Sequence, residues 1–169
     1  MSSTLQSNNS SSEILIRLAE KQDVSTILSF IKDLAEYEKL TDEVIADEES
    51  LENFLFSTRP FAEVFIAEYG MKPVGFALFF HTFSTFMGMP GLYLEDLYVK
   101  PEMRGKGVGK KLFRKVAQMA LERDCGRLEW SVLNWNEPAI GFYKKLGAQA
   151  MNEWMVYRLS GDSLSNFSG

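Results

Sequence analysis

Arg104-Gly105-Lys106-Gly107-Val108-Gly109 separates two segments with different hydrophobic periods. Before it, Leu92 to Val99 is an apolar and aromatic run of strand length, interrupted by Glu95 and Asp96. After it, Val108, Leu112, Val116, Ala117 and Ala120 recur at helical spacing to about Arg123. A strand therefore feeds a helix through a glycine-rich turn. Such a turn lets a ligand approach the backbone closely and leaves the first amides of the helix without intrahelical partners. The helix dipole adds partial positive charge there, and Lys106, Lys110 and Lys111 add whole charges, which suits a phosphate. A Walker A loop would need a glycine where Arg104 stands and a hydroxyl residue where Lys111 stands. A dinucleotide fingerprint would need GxGxxG, whereas the spacing here is GxGxG and lies late in the chain. The pattern R-x-x-G-x-G, which seats a pyrophosphate on a helix N-terminus, fits every position. The competing reading is a turn that only connects strand to helix, and the flanking lysines favour the phosphate.

Outward from this turn, strands alternate with helices. Glu13 to Leu18 alternates Ile14, Ile16 and Leu18 with polar residues, as a strand does. Asp23 is the expected N-cap of a helix carrying Val24, Ile27, Leu28, Ile31, Leu34 and Ala35 on one face. A shorter helix is expected over Glu48 to Phe56. Strands follow near Ala62–Tyr69 and Val74–Phe83 around the turn residues Gly70 to Pro73, and Gly88 to Gly91 reads as a loop. Beyond the glycine-rich turn and its helix, Arg127 to Leu133 reads as a strand, Glu137 to Leu146 as a helix closed by Gly147, and Trp154 to Leu159 as a last strand. The fold class is α/β (α+β): a disordered Ser/Asn-rich tail over residues 1–12, then a single domain over 13–169.

Composition bounds the chemistry. The 169 residues suit one domain, with 46% hydrophobic and 24% charged residues. One cysteine, Cys125, excludes an internal disulfide and a four-thiolate zinc site; one histidine, His81, excludes a metal site with two His ligands. No run reaches the ~18 apolar residues of a membrane span, and the first dozen residues lack the apolar core of a secretory signal. A cytoplasmic protein without a membrane partner is expected. The net charge of −5 argues against nucleic acid as a partner. That charge is also divided: Asp33 to Glu52 holds nine acidic residues against Lys39, and Lys100 to Lys115 seven basic residues against Glu102. Two ligands of opposite sign, a cation and a polyanion, would suit the two runs.

The turn, taken with Tyr93-Leu94-Glu95-Asp96-Leu97-Tyr98-Val99 before it and Trp135-Asn136-Glu137-Pro138-Ala139 and Phe142-Tyr143-Lys144-Lys145-Leu146-Gly147 after it, resembles the GNAT family of acetyl-CoA-dependent N-acetyltransferases. The likeness runs from Ile14 to Leu159 and is greatest to the diamine branch, of spermidine/spermine or thialysine type. It implies the GNAT fold, a mostly antiparallel mixed sheet that splays between Leu92–Val99 and Arg127–Leu133 and is flanked by helices. The cosubstrate implied is acetyl-CoA, with no metal. Its pantetheine arm would lie along Leu97, Tyr98 and Val99, its pyrophosphate on Arg104, Gly105, Lys106, Gly107, Val108, Gly109 and Lys110, and Asn136, Glu137, Pro138 and Ala139 would touch it beyond the splay. Members of this branch are usually homodimers.

An amine attacking a thioester must lose a proton, and the departing thiolate is helped by gaining one. By spacing, Tyr143 reads as a core tyrosine; the resemblance makes it the acid that protonates sulfur and a neighbour of the cofactor. Strict strand alternation puts Glu95 with Tyr93, Leu97 and Val99, and Asp96 with Leu92, Leu94 and Tyr98, so only one of the two carboxylates faces a given cleft. Residue type alone leaves each open to structural pairing or use. The resemblance makes Glu95 the base, acting through water and binding the cationic amine, with Asp96 as a supporting charge. It also makes Tyr37, Glu38, Glu129, Trp130 and Ser131 substrate neighbours, although Tyr37 and Glu38 read equally as a solvated helix end. Where polyamine-acetylating members carry an aspartate and a tryptophan after the third strand, this chain has Ser84 and Phe86. Thialysine, lysine, ornithine or a small diamine then becomes at least as good a candidate as spermidine. A non-catalytic acyl-CoA sensor and a protein or peptide N-acetyltransferase are the alternatives.

Overall fold

The computed structural model describes residues 13–168, so the expected tail lies outside the described residues. The chain forms two compact units, one up to Ser131 and one from Val132.

The first unit is built on a five-stranded sheet in the order β1 (Ile14–Leu18), β2 (Glu63–Tyr69), β3 (Lys72–Ser84), β4 (Met89–Val99) and β5 (Leu128–Trp130). Neighbours are antiparallel except β4 and β5, which run parallel. Helix α1 (Val24–Glu38) and α2 (Glu48–Leu55) are joined to one core, and α3 (Val108–Glu122) to the other. Period two divides β2 between them: Val64 and Ile66 join Ile27 and Phe30, while Phe65 and Ala67 join Leu112 and Val116. A strand covered on both faces reads as an unbroken apolar run, as β2 and the first half of β3 do.

Local chemistry accounts for the connections. Gly70 and Met71 both take positive φ, 57° and 61°, the two-residue turn that matches the twist of a hairpin. Pairing of Tyr69 with Lys72 follows, so the turn is shorter than the four residues expected. The expected loop over Gly88 to Gly91 also shrinks, because β4 begins at Met89. Ser84, buried, closes that hairpin by accepting from the Met87 amide at 3.3 Å. Asp23 is not the side-chain cap that the sequence suggested. Its carboxylate takes both terminal nitrogens of Arg17, at 2.7 and 2.9 Å, and the Glu20 amide at 2.8 Å. A bidentate guanidinium outcompetes a helix amide for a carboxylate.

In the second unit, α4 (Glu137–Lys145) begins at Asn136, whose side chain accepts from the Ala139 amide at 3.3 Å, with Pro138 in the first turn. A short helix, α5 (Asp162–Phe167), follows. The strand expected at Trp154–Leu159 does not form. Trp154, Met155, Val156 and Tyr157 are exposed, and among the described residues no strand pairs with them. Strand propensity alone cannot supply a ladder.

Candidate active site

The site grows from an irregularity in β4. Leu78 faces Asp96 and Phe79 faces Leu94, leaving Glu95 as an extra residue without a partner on β3. Such a bulge breaks strand alternation. Leu92 and Leu94 lie in the α3-side core, and Leu97 and Val99 pack against that same core, three residues on rather than two. Tyr98 lies in the α1-side core, and Asp96 shares its parity. The grouping expected from strict alternation is therefore corrected: Asp96 does not sit with Leu92 and Leu94, nor Glu95 with Leu97 and Val99.

On its other side β4 is paired only briefly. Leu92, Tyr93 and Leu94 match Leu128, Glu129 and Trp130, and then β5 ends while β4 continues to Val99. Within the first unit, Glu95 to Val99 thus form an open edge beside the gap. This is the splay that the sequence resemblance implied.

Carboxylates gather at the same place. Burial, then the charges of Glu95 and Glu38, push Asp96 up to about 7. Glu38 continues the core-facing stripe of Ile27, Ile31 and Leu34 to the end of α1, and burial raises it too. Glu95 itself is exposed. Glu38 and Glu95 are thus near enough to Asp96 for their charges to raise it, and such a local excess of negative charge suits an ammonium group.

The glycine-rich turn meets a phosphate's requirements. Gly105 and Gly107 take φ of 75° and 84°, and a Cβ built on either would meet nothing within 4 Å. Gly107 opens α3 with no side-chain hydrogen bond capping the helix start among the described residues. Lys106 and Lys110 are exposed beside it, whereas Lys111 reaches the Ile14 carbonyl at 3.3 Å. Arg104 contributes only its backbone to this turn. Its Nε donates to the Val99 carbonyl at 3.0 Å, and its guanidinium lies 4.6 Å from the centre of the Tyr37 ring.

The residues expected on β5 are already engaged. Glu129 pairs with Arg127 at 2.7 Å, Trp130 packs edge-on against Phe113 at 4.9 Å, and Ser131 Oγ lies 2.6 Å from the Tyr93 hydroxyl. Asn136, Glu137, Pro138, Ala139 and Tyr143 belong to the second unit, where Asn136 is buried and Tyr143 packs beside Phe142 with ring centres 5.2 Å apart. Sequence reasoning missed a cleft between α1 and the end of β4, lined by Asp33, Glu36, Lys100 and Arg104 among others. Its only signal was that an acidic and a basic run both occur, well apart in the chain. Among the described residues no group of three or more His, Cys, Asp or Glu could hold a metal ion, and no helix is long and apolar enough to cross a membrane.

A sheet that opens beside a helix start without a side-chain cap suits an acyltransferase that uses a nucleotide thioester. The chain belongs to the acetyltransferase (GNAT) family, whose model matches residues 27–148. It is an N-acetyltransferase, and enzymes of this family take their acetyl group from acetyl-CoA. It is 41% identical over 167 residues to a thialysine N-epsilon-acetyltransferase of Bos taurus, covering 92% of this chain and 98% of that protein. It is 33% identical to an L-ornithine N5-acetyltransferase of Arabidopsis thaliana, over 88% and 85% of the two chains. Among solved structures, an integron cassette protein from V. cholerae superposes with a TM-score of 0.77 at 29% identity, covering 92% and 97%.

Proposed function

We propose that this protein acetylates the terminal primary amine of a small cationic acceptor of thialysine, lysine or ornithine type, by direct attack within a ternary complex with acetyl-CoA. The observation that carries the reading is the gathering of Glu38, Glu95 and Asp96 where β5 leaves β4. A thioester held along the open edge of β4 would present its carbonyl beside these carboxylates.

The proposed steps balance without a metal or a covalent intermediate. The acceptor arrives as an ammonium ion and gives a proton, through water, to the carboxylate pair. Glu95 is the base in this reading, and Asp96 holds the cation; with its elevated pKa, Asp96 is also able to keep a proton near neutral pH. The amine lone pair attacks the thioester carbon, a C–N bond forms and the C–S bond breaks; Tyr143 protonates the departing thiolate, and the acetylated nitrogen gives up its second proton, through water, to the phenolate so formed. Backbone groups of Leu97 to Val99 would pair with the pantetheine arm, and the turn from Arg104 to Lys110 would seat the pyrophosphate. Tyr37 and Glu38 would border the acceptor at the end of α1, with Ser131 opposite. The family match crosses residue 131, which supports both units acting as one domain. A cytoplasmic homodimer is part of the proposal; the exposed apolar side chains of Phe83 and Phe86 and of Trp154 to Tyr157 offer surface for such an assembly.

The test is thiol release from acetyl-CoA with thialysine, lysine, ornithine, a linear diamine, spermidine and a lysine-bearing peptide as acceptors. Turnover is expected with the small amino acids, and Tyr143→Phe should lower kcat by roughly ten- to a thousand-fold. A protein that binds acetyl-CoA yet releases no thiol with any small amine would overturn the proposal.

A further inference from the structure

The cleft that the sequence did not reveal has an unusual lining for one fed by an acidic run. It holds about 500 Å³ and presents Asp33 and Glu36 from α1, Lys100, Glu102 and Arg104 from beyond β4, and the rings of Tyr37 and Tyr98. None of these five charged side chains forms an ion pair among the described residues. Arg104 is nonetheless fixed, by its Nε bond to the Val99 carbonyl and by the Tyr37 ring beneath it. That geometry commits Nε and one face of the guanidinium and leaves its two terminal nitrogens for a carboxylate, which they bind as a fork. Lys100 is steadied over the Phe30 ring at 5.7 Å.

We infer that this cleft reads the α-amino-carboxylate head of the acceptor: Arg104, aided by Lys100, takes the α-carboxylate, and Asp33 and Glu36 take the α-ammonium. The inference rests on the acetyl-transfer reading and narrows its substrate class to amino acids that carry a second, terminal amine. The dimensions agree. Asp96 and Tyr98 share a face two residues apart, about 7 Å along a strand. In a lysine-type chain five single bonds of about 1.5 Å separate the terminal nitrogen from the α-carbon, roughly 6–7 Å when extended. A terminal amine at the carboxylate cluster therefore places its α-carbon beside Tyr98 and Arg104. A linear diamine or spermidine offers nothing to the guanidinium and leaves its charge facing a second cation.

The test compares three acceptors of equal length: thialysine, bis(2-aminoethyl) sulfide, which lacks the carboxylate, and 3-(2-aminoethylthio)propionate, which lacks the α-amine. The readout is the ratio of kcat/KM values within each protein, so any change in acetyl-CoA binding or folded fraction cancels. Wild type should prefer thialysine to the diamine by tenfold or more; Arg104→Gln should erase most of that preference and Lys100→Gln part of it. Asp33→Asn with Glu36→Gln should instead erase the preference for thialysine over the propionate. A wild-type thialysine-to-diamine ratio near one, or a ratio unchanged in Arg104→Gln and Lys100→Gln, would sink the inference while leaving acetyl transfer standing. Calorimetry on CoA-loaded protein reads the same selectivity as affinities. Selective thialysine binding without thiol release would sink the transfer reading and keep the cleft's role; equal affinities for the three acceptors would sink the cleft's role.

Discussion

Asp96 is the residue whose behaviour follows most directly from its surroundings. Its carboxyl is pushed up to about 7, by burial first and then by Glu95 and Glu38, against an unfolded value near 3.9. The folded chain thus binds more protons at this position than the unfolded chain between about pH 4 and 7, and stability declines as pH rises through that window. Above pH 7 the full penalty persists, because both states are then ionised. Asp96→Asn removes the ionisation and should melt several degrees above the parent at pH 8, and by clearly less at pH 5. Equal shifts at the two pH values would show that neither burial nor the neighbouring carboxylates raise Asp96. Strict alternation left open which of Glu95 and Asp96 is constrained, because it assumes one residue per register position. The warning was in the sequence nonetheless: Leu92, Leu94, Leu97 and Val99 keep period two only if one residue between Leu94 and Leu97 is skipped.

At the scale of elements, the turn before α3 was the most legible feature, because its chemistry is local. Positive φ at Gly105 and Gly107, and an uncapped helix start, follow from the glycines themselves. Gly107→Val would force a branched side chain into a left-handed backbone at φ 84°, so the turn must rearrange although no neighbour obstructs a Cβ. The expected result is acetyl-CoA affinity at least tenfold weaker by calorimetry, with circular dichroism unchanged. Wild-type affinity would reduce the turn to a connector. Elements that depend on distant partners were less legible. The β5 expectation over Arg127 to Leu133 shrank to three residues, because a parallel strand persists only while its neighbour lies alongside. The strand expected at Trp154–Leu159 has an apolar run but no described partner.

Across the whole molecule, the uneven distribution of charge matters more than the net value. Asp33 and Glu36 of the acidic run and Lys100 and Arg104 of the basic run lie far apart in sequence, yet meet in one cleft. The fold achieves this by bringing the end of α1 to the end of β4, a proximity that no local pattern encodes. A cationic acceptor and a polyanionic cosubstrate would then be drawn by separate fields of opposite sign. Such steering acts across water and weakens as the screening length falls from about 10 Å at 0.1 M salt toward 3 Å at 1 M. Raising sodium chloride from 0.05 to 0.5 M should therefore raise KM for thialysine and for acetyl-CoA several-fold each, while kcat changes little, because groups beside the reacting atoms are partly shielded from solvent. The two substrates should respond independently: Lys110→Gln should flatten the salt dependence for acetyl-CoA, and Glu36→Gln that for thialysine. If each KM stayed constant across that range, the divided charge would be solvated surface, and binding would depend only on groups in direct contact.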